Sequence, residues 1–502
     1  METLQYLLYG LEVVLRPSTF LWLTIGSFLG TVIGMIPGLG PATGIALLLP
    51  LTFVLKPETA LVAMAAIYFG AMFGGSRSAI LLNIPGDASA VATCFDGYPM
   101  TLKGEAEAAL AISAIASFIG GFIAAIAFVF LAVPLSKIAL LFGPPEYFAL
   151  MVLALTATAS LSEGKLLKGL FATVIGLMVT VVGLDPQTSV SRFTFGNLEL
   201  QGGIDFLVVI MGVYGLGEVF KSIEKTLNKS SARSIQGQFK KIWVTKEQFK
   251  RSLIPMLRAT PIGFIIGLLP GTGGTIAALM SYNVEKKLSK EPERFGKGAI
   301  EGVAAPEAAN NACSIGAMIP TFTLGIPGSG TAAIMLGALM MYGLQPGPLL
   351  FEFRPEVGWG IVASLFVGNF ICAVLNIPLA SLLVRVLMVP EKILYPLVIA
   401  LCFIGVYAAE MSVVNLYLLV FFGVLGYIMR KLDIPTAPMI LASVIGTKLE
   451  QSLRKSLMLS DGDFSIFFKS TISQVLIALT VLSLLYPMIL KTLKRRRTRS
   501  NV

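Results

Sequence analysis

The 502-residue chain contains no histidine. That removes His-activated serine and cysteine nucleophiles and imidazole-bound zinc together. Gly328-Ser329-Gly330 is therefore not the centre of a Ser-His hydrolase, and any proton relay must run on Asp, Glu, Tyr or Lys. The four cysteines, Cys94, Cys313, Cys372 and Cys402, are scattered through apolar segments without metal-ligand spacing and read as packing residues. No G-x-x-x-x-G-K-[ST] occurs: Gly296-Lys297 is followed by Gly298 and lacks the upstream glycine, so the chain has no P-loop of its own. No cofactor is implied. The most telling scarcity is charge, at 13% of residues against 55% hydrophobic, with a mean hydropathy of +0.83. A soluble chain of this length is excluded.

Charge-free runs cover 17–55, 59–76, 108–136, 259–284, 308–351, 357–384, 411–429 and 470–490. Most approach the ~20 residues that span a bilayer as helix, whereas barrel strands would be ~10 residues of alternating polarity. The expected fold class is an all-α polytopic membrane protein embedded in the lipid bilayer. The start, Met1-Glu2-Thr3-Leu4, has no basic cluster before its apolar stretch and no small-residue cleavage site, so no removed signal peptide is expected. Residues 4–15 read as a short interfacial helix.

Two stretches interrupt apolar runs: Gly34-Met35-Ile36-Pro37-Gly38-Leu39-Gly40-Pro41-Ala42-Thr43 and Gly267-Leu268-Leu269-Pro270-Gly271-Thr272-Gly273-Gly274-Thr275. Pro removes a donor and Gly admits unusual backbone, and the freed polar groups are tolerated in a bilayer only where they line a cavity or meet a ligand. A second pair follows in the same order, Ile84-Pro85-Gly86 and Ile326-Pro327-Gly328. The chain thus reads as two structural repeats, taken as inverted, with broken or re-entrant helices meeting near the membrane midplane. Residues 1–224 form the first, 225–250 a basic linker, 251–490 the second and 491–502 a basic tail. From Lys221 to Arg258 there are ten Lys or Arg and two Glu, and the tail adds Lys491, Lys494, Arg495, Arg496, Arg497 and Arg499. Basic clusters beside spans stay cytoplasmic, which accounts for these without nucleic acid as a partner.

Helices restarting after the breaks direct free amides and positive dipole charge into the cavity, which suits an anion. The candidate solute contacts are the backbones of Gly38, Gly40, Gly271 and Gly273 and the hydroxyls of Thr43, Thr272 and Thr275; the competing reading is glycines that let helices pack closely. At the second tips Asn83, Gly86 and Ser89 in one half and Gly328, Ser329 and Thr331 in the other are further candidate solute contacts. Asp87 either holds a coupling cation or proton, with the carbonyls at Pro85 and Pro327 as further sodium ligands, or caps a helix. Arg77 forms a bidentate pair with a solute carboxylate or pairs with an internal acid such as Asp87. Asn310 and Asn311 bond a neighbouring helix or, as favoured, the solute. Glu301 and Glu307 are expected nearer the interface.

These stretches, with Tyr68-Phe69-Gly70-Ala71-Met72-Phe73-Gly74-Gly75-Ser76, Leu81-Leu82-Asn83-Ile84-Pro85-Gly86, Asp96-Gly97-Tyr98-Pro99 and Pro306-Glu307-Ala308-Ala309-Asn310-Asn311-Ala312, resemble the TctA family, the large membrane subunit of tripartite tricarboxylate transporters. The resemblance runs in order through nearly the whole chain. It implies a permease of the bacterial inner membrane, working with a small four-helix membrane subunit and a periplasmic solute-binding protein. It further implies uptake of citrate or another carboxylate driven by an ion gradient. A fully ionised tricarboxylate exceeds the positive charge of two helix ends and one Arg, so a co-bound cation, sodium in preference to a proton, is expected. A passive channel or a stand-alone carrier is the alternative.

Overall fold

A computed structural model describes residues 2–36, 39–161, 166–227, 243–271, 273–378 and 391–499. Helix α1 (Glu2–Leu15) precedes a unit that occurs twice. In the first copy α2 (Pro17–Met35) stops where Ile36 turns extended, α3 (Pro41–Thr52) restarts, and α4 (Pro57–Leu82) follows. Each begins with Pro in its first turn, where the missing amide is not needed. After α4 a link and a single 3-10 turn lead to α5 (Val91–Leu102), then to α6 (Ala106–Ala139).

Helices α7 (Pro144–Leu161) and α8 (Leu166–Thr180) and a small hairpin, β1 (Gly183–Leu184) with β2 (Ser191–Arg192), come next. One helical span then combines α9 (Phe206–Ile210), a π turn (Met211–Leu216) and α10 (Gly217–Leu227). The second copy is α11 (Lys246–Leu268), α12 (Gly273–Leu288), α13 (Glu301–Leu324) and α14 (Gly330–Met341). Short α15 (Pro348–Phe353) and α16 (Pro355–Asn376) follow, then helices Glu391–Glu410, Val413–Lys431, Ala437–Leu459 and Thr471–Arg499. Among the described residues six helices are long and apolar enough to cross a membrane. The protein is an all-α polytopic membrane protein. Its 12-residue helices α3, α5 and α14, at about 18 Å, are too short to do so alone.

The two inner helices are α4, buried from Thr59 to Leu81, and α13, buried from Gly302 to Thr323. Lipid is as apolar as a side chain, so close backbone approach rather than apolar burial holds such helices together. The glycines do this identically in both copies. Gly30 and Gly34 of α2 lie on Ile67 and Ala71 of α4, as Gly263 and Gly267 of α11 lie on Ala309 and Cys313 of α13. A Cβ at any of the four would stand 2.0 to 2.3 Å from a carbonyl oxygen. The second link then folds back over this contact, Gly86 against Gly34 and Gly75, and Gly328 against Gly267 and Ala317. The backbone reverses there through left-handed residues, Asn83 (φ 55) and Gly325 (φ 73).

The copies run in opposite senses. Tyr342, just past α14, donates from its hydroxyl to the Thr52 carbonyl at the end of α3 at 2.6 Å, so α3 and α14 open on one face. Asp96 of α5 accepts the Gly296, Gly298 and Ala299 amides at 2.7 to 2.9 Å in the loop after α12, and Lys103 Nζ reaches the Lys297 carbonyl, so α5 and α12 open together. Helix α13 separates these groups by its 24 residues, about 36 Å, with Gly302 beside Asp96 at one end and Phe322 accepting the Gly347 amide at the other. They are opposite faces. The first break thus enters from one side of the membrane and its counterpart from the other.

Two charged residues lie elsewhere than expected. Glu307, expected nearer the interface, is fully buried inside the protein. Its carboxylate accepts from Ser76 Oγ at 2.6 Å, Ser117 Oγ at 3.2 Å and Thr93 Oγ1, because α13 is already enclosed by α6 and α5 at that depth. Arg77, also buried, donates from Nε to Asn376 Oδ1 at 3.2 Å and from Nη1 to the Leu110 carbonyl at 2.6 Å, and the acid whose charge acts on it is Glu307, not Asp87.

Candidate functional site

The glycines at the tips divide into closed and open ones. The Gly86 amide donates to the Gly75 carbonyl at 3.2 Å, and the Gly271 amide donates to the Gly328 carbonyl at 3.1 Å, tying the two breaks of the second copy together. Gly271 (φ 77) also packs on Thr158 of α7, where a Cβ would stand 2.3 Å from the Thr158 Cα. Gly40 and Gly273 are open: a Cβ on Gly40 would meet only Asp87 Cβ at 3.3 Å, and one on Gly273 (φ 63) nothing within 4 Å. Gly38 and Thr272 lie outside the described residues.

At the open tips the copies meet. Gly274, in the first turn of α12, is so closely approached by both copies that a Cβ there would lie 2.6 Å from Asn310 Oδ1 of its own copy and 3.0 Å from Ser89 Cβ of the other. Asn310 is 1% exposed, and neither Nδ2 nor Oδ1 has a hydrogen-bond partner. Asn311, its neighbour, points elsewhere and donates from Nδ2 to the Glu307 carbonyl of its own helix at 3.1 Å. The first-turn amides of α12 have no intrahelical acceptors and carry the positive end of the helix dipole. A donor-rich helix end and an unpaired amide therefore adjoin, with half-buried Thr275 in the same turn.

Asp87 acts as a cap. Its Oδ1 accepts from the Ser89 amide at 2.7 Å, Ser89 Oγ at 2.5 Å and the Ala90 amide at 3.1 Å. Its counterpart Ser329 caps α14 by accepting the Ala332 amide at 3.1 Å, and Tyr68 OH pairs with the same Ser329 Oγ at 3.2 Å. Tyr68 also lies within the field of Asp87. Thr43 donates to the Tyr214 carbonyl at 3.3 Å, Thr331 is buried in the first turn of α14, and Pro85 and Pro327 stiffen the extended links. Asn83 supplies the left-handed turn.

Sequence reasoning passed over Tyr68 and Tyr214 as site residues. Tyr68 and Asn310 are 242 positions apart, as are Asn83 and Gly325, or Gly86 and Gly328, so aligning the halves would have singled Tyr68 out. Tyr214 sits in the π turn, whose Val213 carbonyl accepts from Arg430 Nη1 at 2.6 Å, and nothing in the local sequence announces that turn. Such turns cluster at functional sites. Among the described residues no group of three or more His, Cys, Asp or Glu is placed to hold a metal ion. A surface cavity of about 500 Å³ lined by Glu247, Arg251, Ser289, Lys290, Glu291 and Glu301 lies among ion pairs where α11 begins and α12 ends, away from the tips.

Residues 20–441 match the profile of the tripartite tricarboxylate transporter TctA family. The chain belongs to this family. Within Agrobacterium vitis, an uncharacterized 52.8 kDa protein in the TAR-I ttuC' 3' region is 41% identical over 478 residues, 95% of each chain. An uncharacterized protein in the TAR-II ttuC' 3' region is 40% identical over 217 residues, 43% of this chain and 90% of that one. No solved structure matches. TctA membership makes this chain a component of a tripartite transporter and assigns it to transport rather than to an enzyme family.

Proposed function

We propose that this TctA-family protein is the permease subunit of a binding-protein-dependent secondary transporter that imports a carboxylate together with a cation. The observation that carries this is the meeting of the inverted copies at the open first turn of α12, beside the unpaired Asn310. Helix ends supply positive charge without a fixed cation, so an anionic solute is bound without being trapped. The partners are the small membrane subunit and the periplasmic solute-binding protein.

Orientation follows from charge. The span from Phe206 to Leu227 leads into the basic linker, and basic segments stay cytoplasmic. The β1–β2 hairpin, one crossing earlier, then faces the periplasm of a bacterial inner membrane. It is fastened there by Arg454 Nη2 to Asp185 at 2.9 Å and Arg192 Nη1 to Glu450 at 2.8 Å. The basic tail, residues 491–502, is assigned to the cytoplasmic side with the linker.

The coupling ion is sodium in this reading, because hydroxyl, amide and carbonyl oxygens at the tips outnumber acids. Asp87 is the proton carrier in the competing version. Asn is as good an N-cap as Asp, so Asp87→Asn removes the charge and keeps the cap. In proteoliposomes holding both membrane subunits and the binding protein, a sodium gradient alone should drive citrate uptake, and Asp87→Asn should retain it. Uptake driven by a pH gradient alone and lost in Asp87→Asn would assign the proton. Indifference to both gradients would make the protein a passive channel, and equal flux without the binding protein a stand-alone carrier.

A further inference from the structure

From Asn310 we infer that the solute is a 2-hydroxycarboxylate, read at the hydroxyl by Asn310 and at the neighbouring carboxylate by the first turn of α12. The inference rests on the carboxylate reading above and sharpens it. A primary amide offers both donors and an acceptor. Here Nδ2 and Oδ1 are both unpaired at 1% exposure, a burial that costs free energy until a ligand completes it. A carboxylate cannot do so, because it only accepts: it would satisfy Nδ2 and set its negative charge against Oδ1. An alcohol hydroxyl both donates and accepts, and fits both atoms.

The carboxylate belongs next door. Oδ1 lies 2.6 Å from where a Cβ on Gly274 would stand, so the amide and the donor-rich helix end are contiguous rather than a molecule's length apart. Groups read by such neighbours sit on adjacent carbons. The residue type matters on both sides of the contact, since any side chain at position 274 would fill the gap. Nor is there a second such site in the other copy: the equivalent position is Tyr68, whose hydroxyl is already paired with Ser329 Oγ at 3.2 Å. One hydroxyl is read, once.

The test compares acids that differ by that hydroxyl, malate with succinate and citrate with tricarballylate, as ligands that raise the melting temperature of purified permease without its binding protein. Wild-type protein should respond to the hydroxylated member of each pair at concentrations at least about tenfold lower, since a site built to bond a hydroxyl strongly rejects the analogue lacking it. Asn310→Ala should bring each pair within about twofold while both acids still bind through α12, and Asn310→Leu, which keeps the volume without donor or acceptor, provides the same comparison should the alanine variant not fold. Tyr68→Phe should keep the preference. Equal response of wild-type protein within both pairs, or an undiminished preference in Asn310→Ala or Asn310→Leu, would overturn the inference and leave the carboxylate reading standing. No response to any of the four acids would overturn both.

Discussion

Glu307→Ala is expected to cost about 3 kcal/mol and to leave little folded permease, because buried hydroxyls that lose their acceptor cost about 1 kcal/mol or more each. The carboxylate gathers three hydroxyls, Ser76 and Thr93 from the α4–α5 segment and Ser117 from α6, onto α13 of the opposite copy. Alanine leaves the three hydroxyls without their acceptor in a place water does not reach. Glu307→Gln keeps an acceptor oxygen and should lie between the two. Thermal unfolding in detergent with size-exclusion yield reads the difference, and a wild-type melting temperature for Glu307→Ala would show that the network does not hold the copies together.

The second large effect is at a link. Gly86→Ala would place a Cβ 2.0 Å from the Gly34 carbonyl oxygen and 2.6 Å from the Gly75 Cα, backbone atoms that cannot swing aside. Overpacking of this kind costs about 3 kcal/mol. Gly273→Ala meets no atom within 4 Å and faces only its left-handed backbone (φ 63), a strain of about 1–2 kcal/mol. Gly86→Ala should therefore lose folded yield and uptake together, and Gly273→Ala should stay folded. Equal melting temperatures for the two would contradict the division into closed and open glycines.

Much of this architecture was legible in the sequence. Breaks inside charge-free runs announced re-entrant segments, and their repetition in order announced two copies, because a bilayer leaves so few ways to place a Pro-Gly kink. Individual side chains were less legible. Glu307 and Arg77 sit at the edges of apolar runs, where a charge ordinarily marks the interface. Only the packing of one copy against the other shows that these edges lie deep inside. Asn310 and Asn311 are adjacent in sequence but about 100° apart around a helix, so Asn311 turns to its own helix backbone and Asn310 to the first turn of α12. The glycines divide by position: Gly34, Gly86, Gly267 and Gly328 are contact residues, as the close-packing reading expects, whereas Gly40 and Gly273 leave space. Asp87 caps the turn into α5.

The central claim is that a carboxylate occupies the first turn of α12. Thr275→Cys, in protein whose half-buried Cys94 is replaced by serine, places a thiol in that turn, and Asn283→Cys places a control on the exposed side of the same helix. Saturating citrate should slow modification of Cys at position 275 by a small thiol reagent several-fold and leave position 283 unchanged. The same rate at position 275 with and without citrate, in protein that still accumulates citrate in proteoliposomes, would place the solute elsewhere and contradict the account.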